Sequence, residues 1–559
     1  MSKSEMKKLG WDELDVLLVT GDAYVDHPSF GIAIIGRLLT SKGYRTGIIS
    51  QPDWKNPESL KTMGTPRIAC AVSSGNIDSM LCIYTAGRRM RKEDAYSPGG
   101  ITGLRPPHAV VVYSQLARQA FGSVPVIIGG VEASMRRFAH YDYWQDKIRP
   151  GILADSKADI LVYGMGEKAI LEILGRLSSG KDMSSIRGTV RFPGKKASES
   201  FLSDCGASIE LPTYEDVTKS PDALMDQTKI IESEMNPFSA KCLFQRHNDR
   251  VMIQEPPCIP LNTEDLDKIY SLPFTGLPHP SYKEKIPAYE MIKNSITSLR
   301  GCPGACSFCG ISLHQGKFVT SRSRESILCE IRRLAGRKDF RGTVSDMGGP
   351  TANTYGHRQS GGEICEKCKR VSCLFPEICR HYNVDQHALM NLLEEAARIP
   401  GVEHLFISSG LRLDLAMRQK AQSAKIIRNN VSGHLKVAPE HLDDDVLALM
   451  RKNPSKDFLE FIDLFREETE KSGKKQFVTP YFISNFPGST DESMKKIESF
   501  LHKHRWELQQ VQDFIPLPLT MAAAMYYCGK SCDGNKIHVN KGLKERRPQI
   551  KALKKGIPN

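Results

Sequence analysis

Short apolar runs alternate with amphipathic stretches along the first third of the chain. The run LDVLLVT at 14–20 is apolar enough for a buried strand, and 29–43 carries an apolar stripe at helical spacing. The runs RTGIIS, RIACAV, VPVIIGG and ADILVYG follow, and a second amphipathic helix covers 166–177. Because strands that alternate with helices form parallel βαβ units, the pattern predicts an α/β domain with a doubly wound sheet over residues 1–190.

The periodic pattern fades between about 191 and 288. Proline-rich pieces such as IQEPPCIPL and SLPFTGLPHPSY occur in this stretch. Proline removes a backbone donor and interrupts regular elements. The sequence therefore predicts an extended connector over 191–288 rather than an independent domain.

Alternation returns over residues 289–515, where six strand-like runs have helical stretches between them. The runs are NSITSLRG (294–301), GTVSDMG (342–348), EHLFISSG (403–410), HLKVAP (434–439), QFVTPYFI (476–483) and LQQVQDFI (508–515). Six βα units predict an incomplete barrel or an open parallel sheet. Functional residues of such folds lie at the C-terminal ends of the strands.

Composition and length narrow the class of protein. The chain has 559 residues, of which 40% are hydrophobic and 25% charged, as in soluble globular proteins with two or three domains. No run reaches the roughly 18 consecutive apolar residues of a membrane span. The start, MSKSEMKKLGWDELD, has no apolar segment of an export signal. We therefore expect a cytoplasmic protein without a membrane segment.

The net charge of +13 is concentrated near the end of the chain. Between Lys541 and Lys555 there are seven Lys or Arg residues against one acid, Glu545, which gives +6 of that total. The sequence predicts a basic C-terminal tail over 516–559 that is solvated and mobile. Binding of nucleic acid by this tail is the alternative interpretation.

Fifteen cysteines in a chain without an export signal indicate metal or redox chemistry rather than disulfides. Cys302, Cys306 and Cys309 form a C-x3-C-x2-C pattern directly after the first strand-like run of the predicted barrel. Three thiolates on an iron–sulfur cubane leave one iron with an open coordination position for a substrate or cofactor. Three unrelated buried thiols, or zinc with a distant fourth ligand, are the alternatives.

The C-x3-C-x2-C pattern, with the aromatic Phe308 before its last cysteine, resembles the signature of radical S-adenosylmethionine (SAM) enzymes. Later strand ends are similar to those of the same superfamily, in the expected order: MGGPTAN (347–353), ISSGLRLDLA (407–416), KVAPEH (436–441) and FISNFPGST (482–490). More narrowly, three stretches resemble the YgiQ-type (UPF0313) radical SAM protein family: 9–31, 286–302 and 349–356. This likeness covers most of the chain and becomes weaker after about 525.

The resemblance implies a partial (β/α)6 radical SAM barrel at 289–515 and an N-terminal Rossmann-like domain of the cobalamin-binding type. It also implies a 4Fe–4S cluster whose open iron chelates SAM. One electron from a flavodoxin- or ferredoxin-type donor would then cleave SAM to a 5′-deoxyadenosyl radical that modifies a substrate. A small metabolite, an RNA base or a protein side chain is an equally suitable substrate. A non-catalytic, metal-bearing RNA- or protein-binding module is the alternative function.

The resemblance assigns roles to individual residues. Cys302, Cys306 and Cys309 are the implied cluster ligands, and the implied SAM-binding residues are Phe308, Gly348, Gly349, Thr351, Ser408, Ser409 and Arg412. Arg412 is suited to bind a carboxylate through two hydrogen bonds, although an ion pair within the protein would use it equally well. Glu440 has the same two interpretations. Glycine and serine also end strands for purely structural reasons.

The resemblance leaves open whether cobalamin binds. A cobalamin-ligating histidine in one lineage of such domains belongs to D-x-H-x-x-G, whereas Asp26 and His27 are adjacent here. His27 is therefore expected to be a turn or cap residue.

A second group of cysteines, in an insert at about 355–382, comprises Cys365, Cys368, Cys373 and Cys379. Four thiols in fifteen residues predict metal binding, with zinc and an auxiliary iron–sulfur cluster as the alternatives. A closed four-thiolate set is typical of structural zinc or of electron transfer rather than of substrate binding. Cys528 and Cys532, with His538 beyond them, are either isolated residues or part of another site.

Overall fold

The structure is a computed structural model that describes residues 1–506, 508 and 511–554. The chain forms two units. The N-terminal unit comprises Met1–Pro260 and Leu272–Lys293, and the C-terminal unit comprises Leu261–Ser271 together with the described residues from Asn294 onward.

The strands of the N-terminal unit are β1 (Val16–Thr20), β2 (Thr46–Ser50), β3 (Ala69–Ser73), β4 (Val126–Gly129), β5 (His140–Asp142), β6 (Lys147–Arg149), β7 (Ile160–Val162), β8 (Thr189–Arg191), β9 (Ile209–Glu210), β10 (Leu243–His247) and β11 (Arg250–Gln254). Those of the C-terminal unit are β12 (Ser295–Thr297), β13 (Leu299–Arg300), β14 (Thr320–Ser321), β15 (Thr343–Val344), β16 (Asp346–Gly348), β17 (Arg358–Gln359), β18 (Tyr382–Asn383), β19 (His404–Leu405), β20 (His434–Glu440), β21 (Phe477–Ser484) and β22 (Gln512–Asp513).

The helices, in chain order, are α1 (Lys3–Lys8), α2 (Gly31–Ser41), α3 (Ser79–Ile83), α4 (Ala109–Phe121), α5 (Gly130–Ser134), α6 (Ile152–Ser156), α7 (Glu167–Ser178), α8 (Lys195–Ser203), α9 (Tyr214–Lys219), α10 (Pro221–Ser233), α11 (Thr263–Tyr270), α12 (Pro287–Ile292), α13 (Gly310–Gln315), α14 (Arg324–Ala335), α15 (Glu363–Glu366), α16 (His387–Ala396), α17 (Leu413–Arg418), α18 (Lys420–Asn430), α19 (Asp444–Met450), α20 (Ser455–Ser472), α21 (Asp491–His504), α22 (Met521–Cys528) and α23 (Leu543–Lys554). Short 3-10 helices cover Pro57–Met63, Pro98–Gly100 and Ala352–Thr354. In the part of the chain that the structure describes, no helix combines the length and apolar character needed to cross a membrane.

The doubly wound sheet predicted for the N-terminal unit is confirmed. Its parallel part has the order β2-β1-β3-β4-β7, and the five strands coincide with the five apolar runs of the sequence. All five residues of β1 are buried. Leu39 of α2 and Ile173 of α7 pack with Leu18 and Ile48 in one core cluster, which explains the apolar stripes of these helices.

At the carboxyl edge of this sheet, the loops that follow β1 and β3 pack tightly against each other. The strand order reverses between β1 and β3, the point at which open α/β sheets usually bind ligands. A Cβ atom on Gly21 would lie 2.3 Å from the Ser74 carbonyl oxygen, and one on Gly75 would lie 2.0 Å from Asp22 Oδ1. The buried Arg105 closes the same crevice, since it pairs with Asp22 Oδ1 at 2.8 Å and donates to the Ser74 carbonyl at 2.7 Å.

The prediction of an extended connector over 191–288 is wrong for residues 195–254. This stretch contains α8, α9 and α10, and β9, β10 and β11 extend the sheet beyond β8 in the order β8-β11-β10-β9. Periodicity fails to reveal β10 because its central Gln245 is fully buried. The Gln245 amide donates to Gln227 and to the Pro212 carbonyl, so a polar residue occupies a core position.

The six strand-like runs of the C-terminal unit correspond to six parallel strand segments, which agrees with the predicted partial barrel. β12 pairs with β16, β15 with β19, and β20, β21 and β22 form one three-stranded sheet. The Met347 amide donates to the Phe406 carbonyl at 2.9 Å, which joins the second and third segments. Residues 509 and 510 of the last run lie outside the described residues.

The prediction of a mobile basic tail over 516–559 is wrong for the described residues up to 554. Helix α23 has a buried side on which Arg546 pairs with Asp513 of β22 at 2.9 Å. The Gln549 side chain accepts from the Asn485 amide at 2.7 Å and donates to the Ser489 carbonyl at 2.8 Å. The basic residues that suggested a tail therefore include one that holds the last barrel strand in place.

Candidate functional site

Cys302, Cys306 and Cys309 lie on the loop between β13 and α13, at the end of the first barrel segment. The Cys309 amide donates to the Cys306 carbonyl at 3.0 Å, and the Ile311 amide donates to Cys309 Sγ at 3.5 Å. Gly301 has a φ of +88°, and a Cβ atom there would lie 2.0 Å from the Phe318 carbonyl oxygen. Only glycine fits this turn, which brings the chain into the cysteine loop.

The three thiols share one electrostatic environment. Burial, together with the thiols of Cys306 and Cys302, raises the pKa of the Cys309 thiol to about 12. Burial also raises the pKa of Cys302, whereas the Arg412 guanidinium lowers it. Arg412 Nη1 lies 3.9 Å from Cys306 Sγ, and a Cβ atom on Gly304 would lie 2.2 Å from the same nitrogen. The loop thus brings three thiols close to one cation.

These thiols fit an iron–sulfur cluster by the chemistry of the donor set. Sulfur donors next to a guanidinium suit a negatively charged thiolate cluster. Across the described ranges, no three His, Cys, Asp or Glu side chains already surround a single point as metal ligands do.

Neighbouring elements of the C-terminal unit anchor the cysteine loop through Ser307. Its amide donates to the Met450 carbonyl at 3.0 Å and its hydroxyl to the Leu449 carbonyl at 2.7 Å, both at the end of α19. The Ala522 amide of α22 donates to the Ser307 carbonyl at 2.9 Å. Residues beyond the barrel strands thus contribute directly to the position of the loop.

Arg412 connects three of the sequence motifs. Its guanidinium pairs with Asp414 at 2.6 Å and faces the thiol of Cys306. Its backbone amide donates to Asn353 Oδ1, and Asn353 Nδ2 donates back to its carbonyl, both at 2.9 Å. Thr351 donates to the same Asn353 oxygen at 3.1 Å. Arg412 was expected either to bind the carboxylate of a ligand or to form an ion pair within the protein. The structure shows the second, a buried ion pair with Asp414.

Asp346 organises the other predicted SAM-binding residues. Its Oδ1 accepts from the amides of Ser408 at 2.7 Å and Ser409 at 3.0 Å, and burial raises the pKa of this carboxyl. A Cβ atom on Gly348 would lie 1.9 Å from Ser409 Oγ, and one on Gly349 would lie 2.9 Å from the Leu299 carbonyl. Close packing therefore explains both glycines, while Ser408 and Ser409 remain exposed at the strand end.

Phe308 and Glu440 have different surroundings in the C-terminal unit. Phe308 packs edge-to-face on Phe486, with ring centroids 6.1 Å apart, and Phe486 contacts Phe514 at 5.2 Å. Glu440 ends β20 with a φ of +69°, a conformation that side-chain-bearing residues rarely adopt. Burial raises the pKa of Glu440, and Lys452 and Arg412 lower it. A buried, strained acid close to Arg412 is a candidate for contact with a bound ligand.

The four-cysteine insert is hydrogen-bonded to the three-cysteine loop. The Cys373 amide donates to the Pro303 carbonyl at 2.9 Å, and the Ser372 hydroxyl donates to the Gly304 carbonyl at 2.8 Å. Burial raises the pKa of Tyr382, and the thiols of Cys373 and Cys302 raise it further. Tyr382 thus lies near one thiol of each set, so the two cysteine groups are neighbours.

Other candidate residues have local structural roles. The Ser29 amide donates to His27 Nδ1 at 3.1 Å, which confirms the expected turn role of His27. Cys528 is the last residue of α22, Cys532 lies in the turn that follows, and the His538 ring contacts Asn540 Oδ1 at 2.8 Å.

Sequence reasoning missed Asp346 and Ser372. Asp346 lies directly before the MGGPTAN stretch, so a carboxylate at a predicted strand end was a usable signal. Ser372 carried no such signal, because its partner Gly304 is 68 residues away in the chain.

Comparisons with known proteins define the class of the chain. The family described as Radical SAM N-terminal matches residues 1–295, and the Radical SAM superfamily matches residues 296–501. The fold is similar to that of the radical SAM methyltransferase TsrM from Kitasatospora setae, solved with tryptophan substrate and the SAM analog aza-SAM bound. That likeness has a TM-score of 0.50 and 14% identity, and it covers 97% of this chain and 82% of the other. The protein is a radical SAM enzyme.

The relatives at higher identity give the family. A UPF0313 protein of Methanocella arvoryzae is 46% identical over 551 residues, which cover 98% of this chain and 91% of the relative. Those of Geobacter sulfurreducens and Thermotoga neapolitana are each 45% identical, covering 99% and 98% of this chain and 91% and 96% of the relatives. The chain belongs to the UPF0313 family. This membership favours the enzyme over the non-catalytic binding module.

Proposed function

We propose that Cys302, Cys306 and Cys309 hold the 4Fe–4S cluster of this radical SAM enzyme and that the loops at 348–353 and 408–412 hold SAM beside it. When bound, the cluster supplies the electron that cleaves SAM to the 5′-deoxyadenosyl radical. The observation that carries the proposal is Arg412, whose backbone is fixed by Asn353 while its guanidinium reaches Cys306. One residue thereby ties the cysteine loop to both proposed SAM-binding loops.

The residues around the loop act by charge and position. The Arg412 cation balances the negative charge that three thiolates bring into a buried site, and Asp414 holds the guanidinium in place. Asp346 accepts from the Ser408 and Ser409 amides and so fixes the backbone at the strand end, where the two exposed serines are available to the cofactor. Such preorganised groups position a cofactor without reorganisation at the moment of reaction.

The electron donor and the compartment are part of the same proposal. A flavodoxin- or ferredoxin-type protein is the donor that suits a low-potential cluster. Fifteen cysteines, one of them the exposed Cys329, are typical of metal or redox chemistry in a reducing compartment, which supports a cytosolic location.

Anaerobic reconstitution with iron and sulfide tests the proposal. We expect the reduced protein to release 5′-deoxyadenosine from SAM and to show the electron paramagnetic resonance of a reduced 4Fe–4S cluster, which SAM perturbs. A reconstituted cluster whose spectrum does not change with SAM would contradict the proposed cofactor contact.

Asp346→Ala is expected to raise the KM for SAM about 10- to 100-fold, because the Ser408 and Ser409 amides lose their shared acceptor and the loop shifts. The amount of bound cluster should equal that of the wild type, because the proposed partners of Asp346 are the amides of Ser408 and Ser409 and not the cysteine loop. SAM cleavage at varied SAM concentration, alongside iron analysis, measures both quantities. Asp339→Ala, which removes an exposed aspartate paired with Arg337, is the matched control. An unchanged KM in Asp346→Ala would reject the role.

We propose further that the N-terminal unit does not take cobalamin at its switch-point crevice, because Arg105, Asp22 and Ser74 fill that space. The residues do not fit the cofactor there, and no step of the reaction is assigned to it. Protein incubated with hydroxocobalamin and then desalted is expected to carry no corrin absorbance. Co-elution of stoichiometric cobalamin, with a known cobalamin-binding protein as the positive control, would refute this.

A further inference from the structure

The insert presents its four cysteines from two backbone turns, one that closes over three residues and one that closes over six. The Cys368 amide donates to the Cys365 carbonyl at 3.3 Å, and the Cys379 amide donates to the Cys373 carbonyl at 2.8 Å. Each pair is thus folded back by a hydrogen bond from its second member to its first. Two turns, each offering two thiols, are a common arrangement around a tetrahedral metal ion.

The surroundings of the insert favour a negatively charged centre. Gln359 Nε2 lies 3.7 Å from Cys373 Sγ, and the buried Lys317 ammonium donates to the Cys368 carbonyl at 3.3 Å. Arg370 binds backbone carbonyls within the insert, with 3.0 Å to that of Phe375. Four thiolates around a divalent ion or a cubane carry net negative charge, which nearby cations and N–H groups stabilise.

Packing alone explains only part of this cysteine group. Cys373 and Cys379 join a small cluster with Leu374, Tyr382 and Leu415. Cys365 and Cys368, in contrast, are partly exposed on a short helix and the turn after it. A partly exposed pair is therefore unexplained by a core role, and it completes a four-thiol set with the other two.

We infer that Cys365, Cys368, Cys373 and Cys379 bind a four-thiolate metal centre, zinc or an iron–sulfur cluster, that holds the three-cysteine loop in its working position. The contacts that carry the coupling are those of Ser372 and Cys373 to the carbonyls of Gly304 and Pro303. Only this coupling depends on the proposed function of the three-cysteine loop. Metal binding by the insert stands independently of it.

The metal site is tested in full-length protein that carries Cys302→Ala, Cys306→Ala and Cys309→Ala and is purified without oxygen. We expect metal analysis to find either about one zinc per chain or iron with sulfide, and X-ray absorption to report sulfur ligands, at about 2.3 Å for zinc. Adding Cys365→Ala and Cys368→Ala should remove that metal, whereas adding Cys329→Ala should not. Folded triple-alanine protein that holds neither zinc nor iron would overturn the site.

The coupling is tested by Ser372→Ala in the otherwise unmodified chain. This variant keeps all four thiols, so the insert should still bind its metal, although the amides of Leu374 and Phe375 lose their acceptor. Reconstitution of the first cluster should become about 2- to 10-fold weaker, because the hydrogen bond to the Gly304 carbonyl is lost. Ser372→Thr, which keeps the hydroxyl, should restore loading. Wild-type loading in Ser372→Ala would overturn the coupling. Loss of SAM cleavage in the triple-alanine protein tests the proposed function separately.

Discussion

Replacing Cys302, Cys306 and Cys309 together with alanine is expected to abolish the release of 5′-deoxyadenosine from SAM, a loss of about 1,000-fold or more. The cluster performs the reductive cleavage, so removing its three proposed ligands removes the group that binds and reduces SAM. The protein should remain folded, because the loop is held mainly by backbone contacts such as those of Ser307 to Leu449 and Met450. Chromatographic assay of 5′-deoxyadenosine under reducing, anaerobic conditions measures the effect.

The control for this experiment is Cys329→Ala. Cys329 is exposed on α14 and belongs to neither cysteine group, so its removal should leave cleavage at the wild-type rate. Cleavage by the triple-alanine protein at a rate near that of the wild type would refute the cluster assignment. Circular dichroism of both proteins separates loss of chemistry from loss of fold.

Arg105→Met is expected to destabilise the N-terminal unit by about 3–5 kcal/mol, the usual cost of removing one partner from a buried ion pair. Arg105 pairs with Asp22 at 2.8 Å and with Asp94 at 3.2 Å, and its side chain is fully buried. Methionine preserves most of the volume but leaves two buried carboxylates without a cation. Calorimetry of the full chain should show one unfolding transition, that of the N-terminal unit, shifted to a lower temperature.

The loss in Arg105→Met should depend on pH. Burial already raises the pKa of Asp22 to about 6 in the intact protein, in spite of the opposing effect of Arg105. A carboxyl whose folded pKa is raised stabilises the fold at low pH, and this contribution is lost as the pH rises through the folded pKa. Without Arg105 that pKa rises further, so the destabilisation should grow from pH 5 to pH 8. A loss that is constant over this range would contradict the explanation.

The control for this variant is Arg246→Met. Arg246 forms an ion pair with Glu210 in the same unit, but both side chains are largely exposed. Exposed pairs contribute little to stability, so the transition should not move measurably. Equal shifts in the two variants would mean that burial of the Arg105 pair is not the cause.

Strands that coincide with short, uninterrupted apolar runs were predictable from the sequence. Those of the parallel sheet and of the barrel coincide with runs such as 14–20 and 476–483, because burial on both faces demands continuous apolar residues. The antiparallel extension was not predictable by the same rule. Its β10 buries Gln245, and only the partner Gln227 makes that position acceptable.

In the candidate site, too, some features were predictable from the sequence and others were not. The cysteine spacing is local in sequence, and with the resemblance it predicted the family and the class of chemistry, which the comparisons show. The contacts that position the loop are distant in sequence: Asp346 and Ser408 are 62 residues apart, and Ser372 and Gly304 are 68 apart. Arg546 shows the converse error, because its charge indicated a solvated tail whereas Asp513 and the Phe514 carbonyl bind it inside the unit.

Helix α23 has a consequence for the biogenesis of the enzyme. Its Arg546 and Gln549 hold the ends of the last two barrel strands, and α22 supports the cysteine loop through Ser307. A nascent chain on the ribosome therefore exposes Cys302 long before the segments that fix its loop have emerged. The barrel reaches its final form only after residues 543–554 have left the exit tunnel. We therefore expect the three-cysteine loop to reach its final position only after α22 and α23 have been synthesised.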